Sequence, residues 1–335
     1  MNYKKISLEK GMYGIPGKSF TEVLEELDPS SNYIGTADES LDAYQRQLKR
    51  FDIKVSGAGS DKVEKFFSST ESSALFPEYV SRAVRMGMEG TNKLSDIVAT
   101  VTKIDSLDYR SISSTMSEDD LSLKNVNEGA TIPETNISTS SNLVTLRKRG
   151  RMLTASYEAL RFQRLDLFTA VLKQMGSYIA QAQLKDAVNI LISGDGNNNE
   201  IEKVAISSSP TYGDIVTLWG KLVPYNLNTI LASTEAVQKL MQMDEFKDSI
   251  AGMNFHATGK LCTPLGANIV HIPSMQAGTI IGLDKTCALE MVQAGDVITE
   301  YDKLIDRQIE RAAISTIAGF TKIFDGASKA LTYTN

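Results

Sequence analysis

Residues 165–197, LDLFTAVLKQMGSYIAQAQLKDAVNILISGDGN, decide the architecture. Phe168, Val171, Leu172, Met175, Tyr178, Ile179, Ala182 and Leu191 recur at helical spacing, with no proline and one interior glycine, Gly176. Such spacing lines one face of a helix, so that face, Val171 and Met175 included, is expected to be buried. At 1.5 Å per residue a helix from Leu165 to Leu191 is about 40 Å long, longer than an average globular helix. Ser193-Gly194-Asp195-Gly196-Asn197 then supplies a C-cap and a turn. A rod of this length is a scaffold element.

Downstream, residues 203–295 alternate short strands and helices. Asn228–Ala232 reads as a buried strand, and Ser233 caps a helix from Thr234 to about Met243. Asn268–Val270 and Thr279–Ile281 read as further strands, which together predict a compact α/β domain. The stretch from Val297 to Tyr333 is charge-dense to Arg311, then alternates through Ile314, Thr316, Ala318 and Phe320. Those are strands expected to return beside the rod.

Upstream, Leu143–Leu146 reads as a strand leading into the basic run Arg147-Lys148-Arg149-Gly150-Arg151. The preceding segment, Ser106 to Asn142, is rich in Ser, Thr, Asn and acids, with scattered apolar residues such as Met116, Val126, Ile132 and Ile137. A loop this long needs a reason. It reads either as a disordered linker or as a β-ribbon that gains its order from a neighbouring chain. Ile97–Ile104 reads as a strand, and Pro77 within Leu75–Val80 predicts an extended or turning backbone. In residues 1–60, Ser19 and Glu22 form a capping box opening a short helix with Phe20, Val23, Leu24 and Leu27. A second helix runs from about Leu41 to Phe51. Two short helices with polar breaks enclose no core, so this arm is expected to lie on something else.

Composition narrows the function. The 335 residues suggest about two domains. Hydrophobic residues at 42% and charged residues at 23% are globular values, which argues against wholesale disorder. A net charge of −6 does not suit electrostatic binding of nucleic acid. Two cysteines, Cys262 and Cys287, and two histidines, His256 and His271, form no zinc-site pattern. The N-terminus has no apolar signal region, and no apolar run is long enough to span a membrane. These features lead us to expect a soluble protein made in the cytoplasm.

Near-motifs fail on context. Gly14-Ile15-Pro16-Gly17-Lys18-Ser19 misses the phosphate-loop spacing by one residue and follows a segment too polar for a buried strand. Asp195 and Glu200 lack the calcium-loop pattern. No G-x-S-x-G elbow occurs, and the basic run is offset by Glu118, Asp119 and Asp120, so it is expected to make salt bridges. No catalytic, metal or cofactor-binding residue is expected.

The collinear order of these elements resembles the major capsid proteins of tailed bacteriophages, the Hong Kong 97 fold. Asn127-Glu128-Gly129-Ala130-Thr131-Ile132-Pro133 is similar to the family's ribbon tip. Arg151–Ser156 is similar to its return strand, Leu184–Gly196 to its spine-helix end, and Asn228–Ser233 to its axial strand–helix unit. The resemblance implies an α+β fold, with an N-terminal arm (1–75) and a peripheral domain (76–104, 151–204 with the spine helix, and 296–335). It places an extended loop at 105–150 and an axial domain at 205–295. It implies a non-enzymatic protein that self-assembles as hexamers and pentamers into an icosahedral head shell enclosing double-stranded DNA without sequence-specific binding. The implied partners are further copies, a separate scaffolding protein, a portal, a maturation protease and a decoration protein. The implied location is the virion, after assembly in the bacterial host cytoplasm. Candidate subunit-interface residues are Glu118, Asp119, Glu128, Glu134, Arg147, Lys148, Arg149 and Arg151. The alternatives are an encapsulin-type compartment and a nucleotide-binding enzyme using Lys18.

Overall fold

The computed structural model describes residues 6–15, 17–106, 108–113, 125–129, 132, 138–247, 263–295, 297–304 and 306–333. In chain order come helices α1 (Phe20–Leu27), α2 (Ala43–Arg50) and α3 (Phe76–Thr91), then strands β1 (Thr100–Ile104), β2 (Ile112–Ser113), β3 (Ser138–Thr139) and β4 (Arg147–Ser156). Helix α4 (Leu165–Ser193) follows, then β5 (Glu202–Ile206), α5 (Tyr212–Leu222), β6 (Thr229–Ala232) and α6 (Thr234–Gln242). Strands β7 (Asn268–His271), β8 (Thr279–Leu283), β9 (Leu289–Ala294), β10 (Ile298–Leu304), β11 (Ile309–Lys322) and β12 (Ser328–Tyr333) complete the α+β chain. It divides into two compact units, residues 1–91, 149–180 and 297–316, and residues 92–148, 181–296 and 317–335.

In the first unit α3 crosses the N-terminal part of α4 at backbone contact. A Cβ on Gly87 would strike the Lys173 carbonyl, and one on Gly176 would strike the Val84 carbonyl. Each helix therefore offers a glycine to the other's main chain. Around the crossing, Leu165, Phe168, Leu172, Met175 and Ile179 pack with Phe66, Phe76, Tyr79, Val80 and Val84, and with Ala312 and Ile314 of β11. Full burial of each such side chain contributes about 1.5–3 kcal/mol.

The buried face of α4 is rotated away from its apolar stripe. Met175 is 7% exposed but Val171 is 47% exposed, and Leu167 and Tyr178 are open as well. At about 100° per residue the buried positions between Leu165 and Ala180, Gly176, Ser177 and Ala180 among them, span an arc of about 200° with Met175 at one edge. Leu167, Val171 and Tyr178 fall beyond its edge, so Val171 does not belong to the core. Pro77 is a second correction. It sits in the first turn of α3, not in extended backbone, because the N–H it lacks has no intrahelical partner there.

The arm lies on its own chain. Capping boxes at Ser19/Glu22 and Asp42/Gln45 open α1 and α2. Phe20, Leu24, Tyr44 and Leu48 join the same core as α3 and α4. Arg82 of α3 holds both short helices, donating to Asp42 (2.6 Å), Glu78 (2.8 Å) and Thr21 (3.0 Å) and lying over the Tyr44 ring. Arg46 is fully buried. It donates to the Asp28 carboxylate at 2.9 Å and to the Asp28, Leu41 and Ser30 oxygens, and it covers the Tyr33 ring at 4.3 Å. Such a fully bonded charge keeps two short helices in one arrangement. In the same unit β10 pairs antiparallel with β11 from Ile298↔Ser315 to Leu304↔Ile309.

The second unit contains a five-stranded sheet in the order β5-β12-β8-β6-β7. Both β6 and β8 are buried throughout, as the apolar runs at 229–232 and 279–283 require. Ser233 caps α6 by accepting the Ala236 N–H at 3.2 Å, as expected. Parallel to β9 runs β1, and β9 pairs antiparallel with the C-terminal end of β11. Leu143–Leu146 is not a strand; β4 starts at Arg147. The segment instead crosses Gly319 closely, where a Cβ would meet the Thr145 carbonyl oxygen at 2.7 Å.

After α4, Gly194 takes a positive φ of 77°, which suits glycine at a C-cap. Asp195 then accepts from Thr321 Oγ1 (2.7 Å), the Lys322 N–H (3.0 Å) and the Asn197 side chain (2.9 Å). Burial opposes its ionisation, but these donors prevail and hold its carboxyl below the usual carboxylate range.

Three outcomes are expected from this packing. Met175→Asp abolishes the cooperative denaturation transition, because it buries an unpaired charge, whereas Val171→Asp retains the transition. Arg46→Ala leaves Asp28 buried without its cation and lowers unfolding free energy by about 3–5 kcal/mol in denaturant titration. Because the folded pKa of Asp195 is depressed, its contribution is present above the unfolded value near 3.9 and is lost as pH falls below it. Asp195→Asn should therefore destabilise measurably at pH 7 and much less at pH 3.

Candidate subunit interface

The expected interface loop springs from the second unit, and its root is well defined. Its two legs pair as a short antiparallel ribbon, Ile112↔Thr139 and Ser113↔Ser138. Backbone bonds from Ser140 to Ser111 (2.8 Å) and from Val144 to Tyr109 (2.9 Å) extend the pairing. One buried carboxylate secures the outgoing leg. Glu290 of β9 accepts from Thr102 Oγ1 (2.5 Å), Tyr109 Oη (2.8 Å) and Ser111 Oγ. Burial, then the bond to Glu290, raises the Tyr109 hydroxyl pKa, so the phenol remains a donor. The returning leg is tied to the turn after α4, where the Asn142 amide donates to the Gly196 carbonyl at 2.5 Å. The root is a ribbon held by side chains far apart in sequence.

The candidate interface residues separate by position. Glu118, Asp119 and Glu134 lie outside the described residues, as do Ala130, Thr131 and Pro133 of the ribbon-tip motif. Glu128 is exposed beside Gly129, which has φ of 79°. Arg147 pairs with Asp186 of α4 at 3.1 Å, so its bridge runs to the rod. Lys148 and Arg151 are exposed on β4, and Arg149 is half-buried. Nothing in the sequence marked Asp186 or Glu290 as partners, because each sits singly within an otherwise ordinary helix or strand.

Other surfaces stand open. In the first unit Leu167, Val171 and Tyr178 form an uncovered apolar line on α4. In the second, Val216, Trp219 and Val223 do the same on α5 and just past its end. Single exposed apolar residues are ordinary, but aligned ones mark contact surfaces.

The discounted motifs have structural explanations. The Lys18 ammonium pairs with Glu26 at 2.7 Å, and Ser19 caps α1. Lys10–Gly14 before them is a turn of 3-10 helix, not the strand a phosphate loop needs. His271 Nε2 meets Thr234 Oγ1 at 2.8 Å, while His256 and Cys262 lie outside the described residues. Among the described residues no cluster of His, Cys, Asp or Glu is placed to hold a metal ion, and no helix is long and apolar enough to cross a membrane.

Comparison with known proteins gives these surfaces a context. The profile of a family described as phage capsid protein matches residues 139–293. No curated protein matches the chain. The structure of a virus-like particle from Pyrococcus furiosus is similar, with a TM-score of 0.52 at 13% identity, over 76% of this chain and 98% of that one. The capsid of a native GTA particle gives 0.53 at 17% identity over 73% and 91%. Microbacterium phage Oxtober96 gives 0.51 at 9% identity, again over 73% and 91%. The phage capsid profile matches the centre of the chain, and the likeness to these capsid structures shows that the chain has the Hong Kong 97 fold.

Proposed function

We propose that the chain assembles as hexamers and pentamers into the icosahedral head shell that encloses the double-stranded DNA of a tailed phage. The family match over residues 139–293 carries this reading, since it takes in the return leg of the loop, the rod and the α/β sheet. In this reading residues 1–75 are the arm, 105–150 the extended loop and 205–295 the axial domain. Residues 76–104, 151–204 and 296–335 form the peripheral domain.

The arm is already housed by α3 and α4 of its own chain. Contact with neighbours therefore falls to the loop, to exposed Lys148 and Arg151, and to the uncovered faces of α4 and α5. Such contacts join unlike patches, and unlike patches close into rings. Acids on the loop, among them Glu118, Asp119, Glu128 and Glu134, meet basic residues of a neighbour in this reading. A separate scaffolding protein, a portal, a maturation protease and a decoration protein complete the assembly, which takes place in the host cytoplasm. A cellular compartment enclosing protein cargo is the competing reading. The phage family match and the long polar stretch 106–142 favour the head shell.

Expression of the chain alone and with its neighbouring reading frames, followed by sedimentation and negative-stain microscopy, tests the reading. Closed particles of many copies are expected, with nuclease-protected DNA in the filled form. A stable monomer under every condition contradicts the proposal, and particles filled with a protein cargo favour the compartment. Deleting residues 116–137 should leave a folded, soluble chain that forms no shells; normal particles from that deletion refute the loop's role.

A further inference from the structure

Glu290 differs from four other buried acids of the chain in what holds it. Asp28, Asp38, Glu78 and Asp186 each meet an arginine or lysine, in turn Arg46, Lys49, Arg82 and Arg147. Glu290, buried on β9, accepts instead from the hydroxyls of Thr102, Tyr109 and Ser111. None of its partners among the described residues is a cation. Thr102 lies on β1, and Tyr109 and Ser111 lie on the outgoing leg of the loop.

The returning leg is led to the same place. Glu290 faces Thr321 across the β9–β11 pair, and such neighbours are about 5 Å apart. Thr321 Oγ1 donates to Asp195 in the turn after α4. That turn takes the Asn142 amide on the Gly196 carbonyl and Ser141 Oγ on the Asn197 side chain. Apolar burial adds little, since Ile112 and Leu143 are exposed while the buried Ser111 and Ser140 are polar. The ribbon pairs only two residues of each leg, and a hairpin that short has no stability of its own. Bonds to a carboxylate are about twice as strong as neutral ones, so the clamp supplies what burial does not.

We propose that Glu290 is a latch for the loop: engaged, it fixes where the two legs leave the sheet, and released, it frees both legs together while the sheet stays folded. A seated root presents the loop to a neighbouring copy from one position, a consequence that rests on the shell reading. The latch itself belongs to the single chain. The Ser140 and Val144 amides report it, because they donate to the Ser111 and Tyr109 carbonyls across the legs.

Hydrogen exchange on the unassembled chain separates latch from fold. Glu290→Met fills the same space without an acceptor, and replacing a buried charge by an apolar side chain of similar size need not weaken a sheet. The Ser140 and Val144 amides should then exchange about tenfold faster or more, while amides of β8 and β12 and the melting temperature hold. Glu290→Gln should stay near the wild-type rate, since its amide oxygen accepts from Thr102 and Tyr109 and its NH2 donates to Ser111. Tyr109→Phe with Ser111→Ala removes the donors from the leg itself and should reproduce Glu290→Met, even if the latter disturbs β9. In the sedimentation assay both releasing variants should lose most of their particle yield, and Glu290→Gln should keep it.

Legs that stay protected in both Glu290→Met and the double variant overturn the latch. Loss of β8 and β12 protection together with the legs in the double variant overturns it as well. Released legs with normal particle yield overturn its role in presenting the loop. A wild type that forms no particles contradicts the shell reading and leaves the exchange result to decide the latch.

Discussion

Helices α3 and α4 cross with their main chains in contact, and Gly87 and Gly176 are the residues that permit it. Any side chain at either position would force the helices apart by the thickness of a methyl group. The aromatic cluster of Phe66, Phe76, Tyr79 and Phe168, with ring centroids 5.2–6.3 Å apart, is assembled around this crossing. The arm depends on it in turn. Arg82 projects from α3 to hold α1 and α2, and the apolar residues of those helices complete the same core. Close packing of one helix pair thus decides whether the first seventy-odd residues are an ordered layer or a loose tail.

This changes what assembly has to accomplish. An arm with no place of its own would need a neighbour before it could order. Here the arm is ordered within the chain, and the buried Arg46–Asp28 pair fixes its arrangement. A charge pair of this kind adds little net stability compared with apolar packing, but it is intolerant of alternatives. Among the described residues, Lys148 and Arg151 of β4 and the apolar faces of α4 and α5 remain exposed. Those surfaces suit a subunit that joins its neighbours as a preformed body.

Legibility in the sequence followed locality. The rod, the Ser19 capping box, the strand–cap–helix unit around Ser233 and the strands at 268–271 and 279–283 all announce themselves through short-range spacing, and all are present. Features decided by distant residues were not legible. Gly176 looked like a tolerated defect in a helix, because its partner Gly87 lies 89 positions away. Val171 shared the helical period with Met175, yet Met175 sits at the edge of the buried arc and Val171 falls past it. Pro77 is ambiguous by itself, since the same residue breaks a helix interior and begins a helix. Of the candidate interface, the basic run was visible as composition, but the Arg147–Asp186 bridge and the Glu290 clamp join segments that only the fold brings together.

Hydrogen–deuterium exchange on the unassembled chain and on purified particles addresses the central claim most directly, because it reports which segments are ordered before neighbours arrive. The account predicts that amides of α1 and α2 are protected in both states, while those of the loop between Ser113 and Ser138 slow markedly only in particles. Exchange in α1 and α2 as rapid as in an unfolded peptide until assembly, or a loop equally protected in both states, would contradict it.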